Sequence, residues 1–302
     1  MLTSSAGPLW LKHRVPSLID LHVSRDSAGQ IATITLRNPA RHNAMTRAMW
    51  RALREMVESV SSSQKNSCLS SSLEGYSAIR CLVITGESGH FCAGGDISEY
   101  PEFRFNEDSL RAFHQQDVAP ALHALLTCNV PIVAQIEGNC MGGGLEIAAC
   151  CDIRVAGQGA RFGAPIAKLG MPMAPQELAI VLRATGEATV REMLLEARTF
   201  SAAQMQQRGF VQRVVADADV ASEALATALR IAALSPQAAR LNKRAIRQFY
   251  MQNTPETQVN TAQAAMKNVV NIATADDAFA YANSAEHVEG ITAFLQKRSP
   301  QF

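Results

Sequence analysis

Glu146 is the only carboxylate in the first turn of the helix predicted by CMGGGLEIAACCDI (residues 140–153), and Gly142, Gly143 and Gly144 stand just before it. Glycine costs a helix interior roughly 1 kcal/mol relative to alanine, so three at a helix start mark a place where something comes close to the backbone. The first amides of a helix are unpaired and sit at the positive end of its dipole, where they attract developing negative charge. A second stretch, GESGHFCAGGDI (86–97), has the same make-up: four glycines behind an apolar run. Two glycine-flanked amides from two strand ends, converging on one oxygen, would form an oxyanion hole. Each donor there supplies about 3–4 kcal/mol of transition-state stabilisation. For each stretch taken singly, a tight turn in which glycine only relieves strain is the alternative. Nucleotide and serine-nucleophile readings fail, because G-x-G-x-x-G, G-x-x-x-x-G-K-[ST] and G-x-S-x-G are all absent here.

These groups need elements to hold them. Residues 19–37 read as a β-hairpin, IDLHVSR and QIATITLR about DSAG. Met49, Leu53, Met56, Val57 and Val60 recur at helical spacing, with Thr46 as N-cap. Serine-rich residues 59–77 predict a loop. IRCLVITG (79–86), VPIVAQIEG (130–138) and DIRVAG (152–157) are strand-like runs, and the second leads into the glycine turn and its helix. Strand, turn and helix in repeated order predict an α/β fold with parallel pairing, each turn placing its loop on the same side. From about residue 175 helix follows helix, with Ser201 and Gln204 as a capping box and Ser235–Pro236 opening another. The chain thus divides into an N-terminal extension (1–16), a core (17–215) and a helical C-terminal region (216–302).

The 302 residues are 47% hydrophobic and 18% charged, with a formal net charge of +1, which describes a globular protein with room for a sizeable core. There is no basic surplus for nucleic acid and no polybasic run for a membrane surface. No segment reads as a membrane span. The 7 cysteines show no metal-ligand spacing, so no metal is expected, and reduced thiols in a cytoplasmic protein are the plain reading.

From about residue 17 the chain resembles the crotonase superfamily, the enoyl-CoA hydratase and isomerase family. The resemblance rests on NPARHNAM (38–45), FCAGGDI (91–97), GNCMGGGLEIAACCDI (138–153), RFGAP (161–165) and EGITAFLQKRSPQF (289–302), in that order. It implies a spiral of β-β-α units with a helical trimerisation region, trimers or dimers of trimers, and acyl-CoA thioesters as substrates. No cofactor is implied beyond the coenzyme A carried by the substrate. By position, the amides of Ala93 and Gly143 should hold the thioester oxygen as an enolate forms, with Glu146 as proton carrier. Gly142, Cys92, Gly94, Gly95, Asp96 and Ile97, with Ala44, should line the substrate. Arg41 and Lys297 should meet CoA phosphates, Lys297 from a neighbouring subunit.

One expected group is missing. Similar hydratases carry a second glutamate twenty residues after the first, and here that residue is Ile166, which transfers no proton. MPMAPQEL (171–178) also replaces a glycine-rich segment, and Glu177 is the only nearby carboxylate: it either compensates for Ile166 or, as the favoured reading, sits at the surface in a first helical turn. The reading that follows is isomerase-type or lyase chemistry rather than efficient hydration. The alternatives are a hydratase with an atypical site and a CoA-thioester-binding protein with little turnover. His90, His114 and His123 are candidate bases by type, but His114 and His123 read as ordinary helix residues.

Overall fold

A computed structural model of the chain describes residues 19–24, 30–62, 79–252, 281–282 and 284–302. Strands β1 (Ile19–Ser24) and β2 (Ile31–Leu36) pair antiparallel with Ile19 opposite Leu36, as the hairpin reading expects. The turn between them and residues 1–18 lie outside the described residues. Strands β3 (Cys81–Gly86), β4 (Ile132–Ile136), β6 (Ile153–Gly157) and β9 (Arg213–Val215) follow in parallel, giving a six-stranded sheet ordered β1-β2-β3-β4-β6-β9.

Both faces of this sheet are covered, which is why its strands read as near-continuous apolar runs. Ala32, Ile34, Leu36, Leu82, Ile84, Ile132 and Ala134 point into the large core. Their alternates Ile31, Cys81, Val83, Val133 and Val155 pack under Val220, Ala224, Ala228 and Ala232 of helix α8 (Val220–Ala232). A second, three-stranded sheet joins β5 (Asn139–Met141), β7 (Arg161–Gly163) and β8 (Thr199–Ser201). Strands of three residues have no period to detect, and the sequence reading does not contain this sheet.

Helix α1 (Arg47–Ser62) begins where predicted, with the Met49 amide donating to Thr46 Oγ1 at 3.1 Å. It runs further than expected: residues 59–62 of the predicted serine-rich loop are helical, because buried Val60 adds another core contact. Residues 63–77 of that loop lie outside the described residues. Helix α2 (Glu107–Ala112) passes through a π-helical turn (Phe113–Val118) into α3 (Ala119–Thr127). Helices α4 (Gly143–Cys150), α5 (Pro175–Thr185), α6 (Glu187–Leu195) and α7 (Ala202–Gln207) follow, the last opened by the predicted reciprocal capping box of Ser201 and Gln204.

Helix α9 (Pro236–Gln252) is tied back to the core. Lys243 Nζ lies 2.8 Å from the Val130 carbonyl oxygen and 2.7 Å from Asp152 Oδ2. Ile246 and Phe249 of α9 are exposed, as are Val288, Ile291 and Phe294 of α10 (Ala285–Leu295).

Candidate active site

Parallel strands β3 and β4 end side by side, so the two glycine-rich turns that follow them leave the same edge of the sheet. The turns are then laced together. Cys92 pairs with Cys140, and Met45 pairs with Gly95, each as a single parallel bridge. NPARHNAM acts as the clamp. Asn43 is fully buried, and its Nδ2 donates to the carbonyls of Glu87 (2.8 Å) and His90 (2.6 Å) while its Oδ1 accepts from the Asn38 amide at 3.0 Å. His42 and Asn43 both adopt left-handed backbone (φ 49° and 60°), a strained pair sustained by these bonds.

The three glycines of α4 have three different reasons. Gly142 has φ +47° as the helix N-cap, where a side chain would be strained. A Cβ at Gly143 would lie 2.9 Å from Trp50 Cζ2, and one at Gly144 only 2.5 Å from the Cys92 carbonyl oxygen. At Gly144, what comes close to the backbone is the protein itself.

The donors differ from expectation at one position. The Ala93 amide donates to the His42 carbonyl at 2.9 Å and is not available to a ligand. Two residues on, the bridge to Met45 uses Gly94 O (2.7 Å) and Asp96 N (2.8 Å), which turns the amide of Gly95 itself to the other side. Among the described residues, neither the Gly95 nor the Gly143 amide has an acceptor. They are neighbours: a Cβ on Gly143 would lie 3.7 Å from the Gly94 carbonyl carbon, the atom bonded to Gly95 N.

Glu146 stands in the first turn of α4, as read from the sequence, and is partly accessible. Burial of the carboxyl group, then the charge of Glu177, pushes its pKa up to about 8, against the opposing pull of Arg104. Glu177 is not at the surface. It is 2% exposed, its Oε1 lies 3.0 Å from His114 Nδ1, and its buried Oε2 has no partner among the described residues. His114 is thus no ordinary helix residue; it stands in the π-helical turn, a geometry frequent at functional sites. Ile166, half-buried, opens a short 3-10 turn after Pro165 and packs on the core.

Tyr100 and Arg104 complete this wall, and the sequence reading passed over both. A Cβ on Gly95 would lie 2.3 Å from the Tyr100 hydroxyl. The Arg104 guanidinium stacks on the Tyr100 ring at 4.1 Å, and its Nη1 lies 3.0 Å from Met171 Sδ. Tyr100 and Arg104 are four residues apart, a helical spacing that was a usable signal.

The expected substrate-binding residues divide. Arg41 is half-exposed and pairs with Asp96 at 3.5 Å; Asp96 is buried and caps the following turn by accepting from Ser98 N and Oγ. Cys92 is fully buried, its thiol pushed up to about 12 by burial, so its side chain faces the core. Ala44 is buried, Gly94 has φ +110°, and Ile97 is exposed. Lys297 is exposed beyond α10. His90 is a structural histidine, accepting from the Asn139 amide at 3.2 Å, its pKa lowered by burial and then by His42. Burial likewise lowers that of His123.

A family model described as enoyl-CoA hydratase/isomerase matches residues 26–302. The chain is 30% identical over 284 residues to the 2,3-dehydroadipyl-CoA hydratase of Escherichia coli, covering 94% of this chain and 98% of that one. It is 30% identical over 280 residues to a probable enoyl-CoA hydratase of Mycobacterium tuberculosis, covering 93% and 96%. A crystal structure described as an enoyl-CoA hydratase/carnithine racemase from Magnetospirillum magneticum superposes with a TM-score of 0.79 at 34% identity, covering 95% of each chain.

Proposed function

The chain belongs to the enoyl-CoA hydratase/isomerase family, and on that premise we propose that it stabilises an acyl-CoA enolate, with the Gly95 and Gly143 amides as paired donors to the thioester oxygen and Glu146 as proton carrier. The observation that carries this is the pair of neighbouring, acceptor-free amides beside a carboxyl group. Two such donors are worth about 3–4 kcal/mol each when charge develops on the oxygen. At both positions a side chain would collide with the protein, Gly143 with Trp50 and Gly95 with the Tyr100 hydroxyl, so glycine is what lets the two amides sit this close together. Held neutral up to about pH 8, Glu146 is suited to deliver a proton to the carbanion carbon.

Double-bond isomerisation, or lyase chemistry through the same enolate, is the favoured reaction. Activating water for hydration needs a second carboxylate, and Ile166 holds no proton. Relatives described as hydratases favour a second reading, a hydratase with an atypical site. The exposed apolar side chains of α9 and α10 support assembly as a trimer or dimer of trimers, with Lys297 reaching a neighbour's CoA. Arg41, half-exposed, is the second phosphate-facing cation of this reading.

Parallel assays of 3-hexenoyl-CoA isomerisation and crotonyl-CoA hydration decide between the readings. Faster isomerisation is expected. Hydration at about 10 per second or more overturns the preference, and tight binding with neither activity identifies a CoA-thioester binder.

A further inference from the structure

The wall that holds Glu146 contains a second carboxylate that the reaction above does not use. Glu177 is buried to 2% exposure, and one of its two oxygens has no partner among the described residues, although a buried carboxylate oxygen left unpaired is costly. Its other oxygen is fixed by His114 at 3.0 Å. An unbroken set of contacts leads from this pair to the oxyanion glycine. His114 meets the ring of the adjacent Phe113 edge-on with centroids 5.1 Å apart, the Arg104 guanidinium lies 5.6 Å from the Phe113 ring and 4.1 Å from the Tyr100 ring, and the Tyr100 hydroxyl sits over Gly95. Helix α5, which carries Glu177, packs on α4, which carries Glu146. One end of this carboxylate is positioned by His114, and its other oxygen is buried with no partner among the described residues.

Resting on the enolate reading, we infer that Glu177, positioned by His114, is a second catalytic proton carrier that takes over the part Ile166 cannot play. In the isomerisation of a 3-enoyl thioester, the Glu177 carboxylate takes a proton from the α-carbon. The C–H electron pair moves into the enolate held at Gly95 and Gly143. Glu146 then gives its own proton to the γ-carbon, and the double bond comes to rest between the α- and β-carbons. Glu177 is left protonated and Glu146 ionised; each exchanges one proton with water, which restores the starting pair. Two carriers differ from one in a measurable respect, because the proton removed is never the proton delivered.

The test uses 3-hexenoyl-CoA deuterated at the α-carbon, in ordinary water, with the full-length wild-type chain, Glu177→Gln and His114→Ala. For the wild type, the product should carry no label at the γ-carbon. Glu177→Gln should lower kcat by roughly 100-fold with KM changed less than about 3-fold, and its residual product should carry label at the γ-carbon, because Glu146 then does both transfers. His114→Ala should lower kcat by roughly 10-fold. If Glu177→Gln fails to fold, Glu177→Asp, which keeps the charge but withdraws it by one methylene, should still lose at least about 10-fold in kcat. Wild-type kcat in a folded Glu177→Gln or Glu177→Asp protein, or γ-label in the wild-type product, overturns the inference. A wild type that neither isomerises the thioester nor exchanges its α-hydrogens overturns the enolate reading instead.

Discussion

In the proposed site, residues 142–146 and residues 166–177 act by opposite means. The first stretch works through backbone: glycines, a helix end, and an amide whose direction is set by where the chain turns. The second works through side chains, with Ile166 on a 3-10 turn, Met171 in the link that follows and Glu177 in the first turn of α5. A backbone donor is fixed by the fold and resists substitution of its neighbours. A side-chain proton carrier needs only to reach the same volume, so it can be lost at one position and supplied from another. The comparison predicts damage that is severe and general in the first stretch, and selective in the second.

The largest effect should come from Gly143→Ala, which puts a methyl group 2.9 Å from Trp50 Cζ2 beside the free amide. Activity on every thioester should fall by roughly 100- to 1,000-fold, read from kcat/KM. Next, Glu146→Gln should cost roughly 100-fold or more in kcat while an acyl-CoA still binds, measured by turnover and calorimetry side by side. Ile166→Glu should act in the other direction and on one reaction: crotonyl-CoA hydration should rise by about 10-fold or more, while isomerisation gains little. If the gain is equal in both, the division of labour between the two stretches is wrong.

The smallest effect is on stability. The Glu146 pKa is raised on folding, from 4.5 to about 8, so the folded state binds the extra proton. The stabilisation this gives is complete below the unfolded value and is lost as pH rises through about 8. Glu146→Gln should therefore raise the unfolding temperature relative to wild type more at pH 8.5 than at pH 5, by about 2–4 °C per kcal/mol. Over the same range, wild-type kcat should fall as the acid is lost.

The two stretches were also unequally legible. Glycines before Glu146, the hairpin, and the parallel strand runs are local patterns, and the structure bears out each of these elements. Which amide near Gly94 faces outward is not local: it follows from the bonds of His42 to Ala93 and of Met45 to its two partners, some fifty residues upstream. That is why Ala93 was expected where Gly95 is available. Glu177 reads as a surface residue for the same reason, since the side chain it pairs with, His114, is 63 residues away in sequence. The short strands β5, β7 and β8 fall below the length at which alternation can be read.

Polarisation of the bound thioester tests the account most directly. The carbonyl stretch of an enoyl-CoA, recorded by difference Raman spectroscopy in the complex with wild type, should lie below its frequency in water, and Gly143→Ala should reverse much of that shift. A bound carbonyl at or above its aqueous frequency would mean that the Gly95 and Gly143 amides do not hold the oxygen.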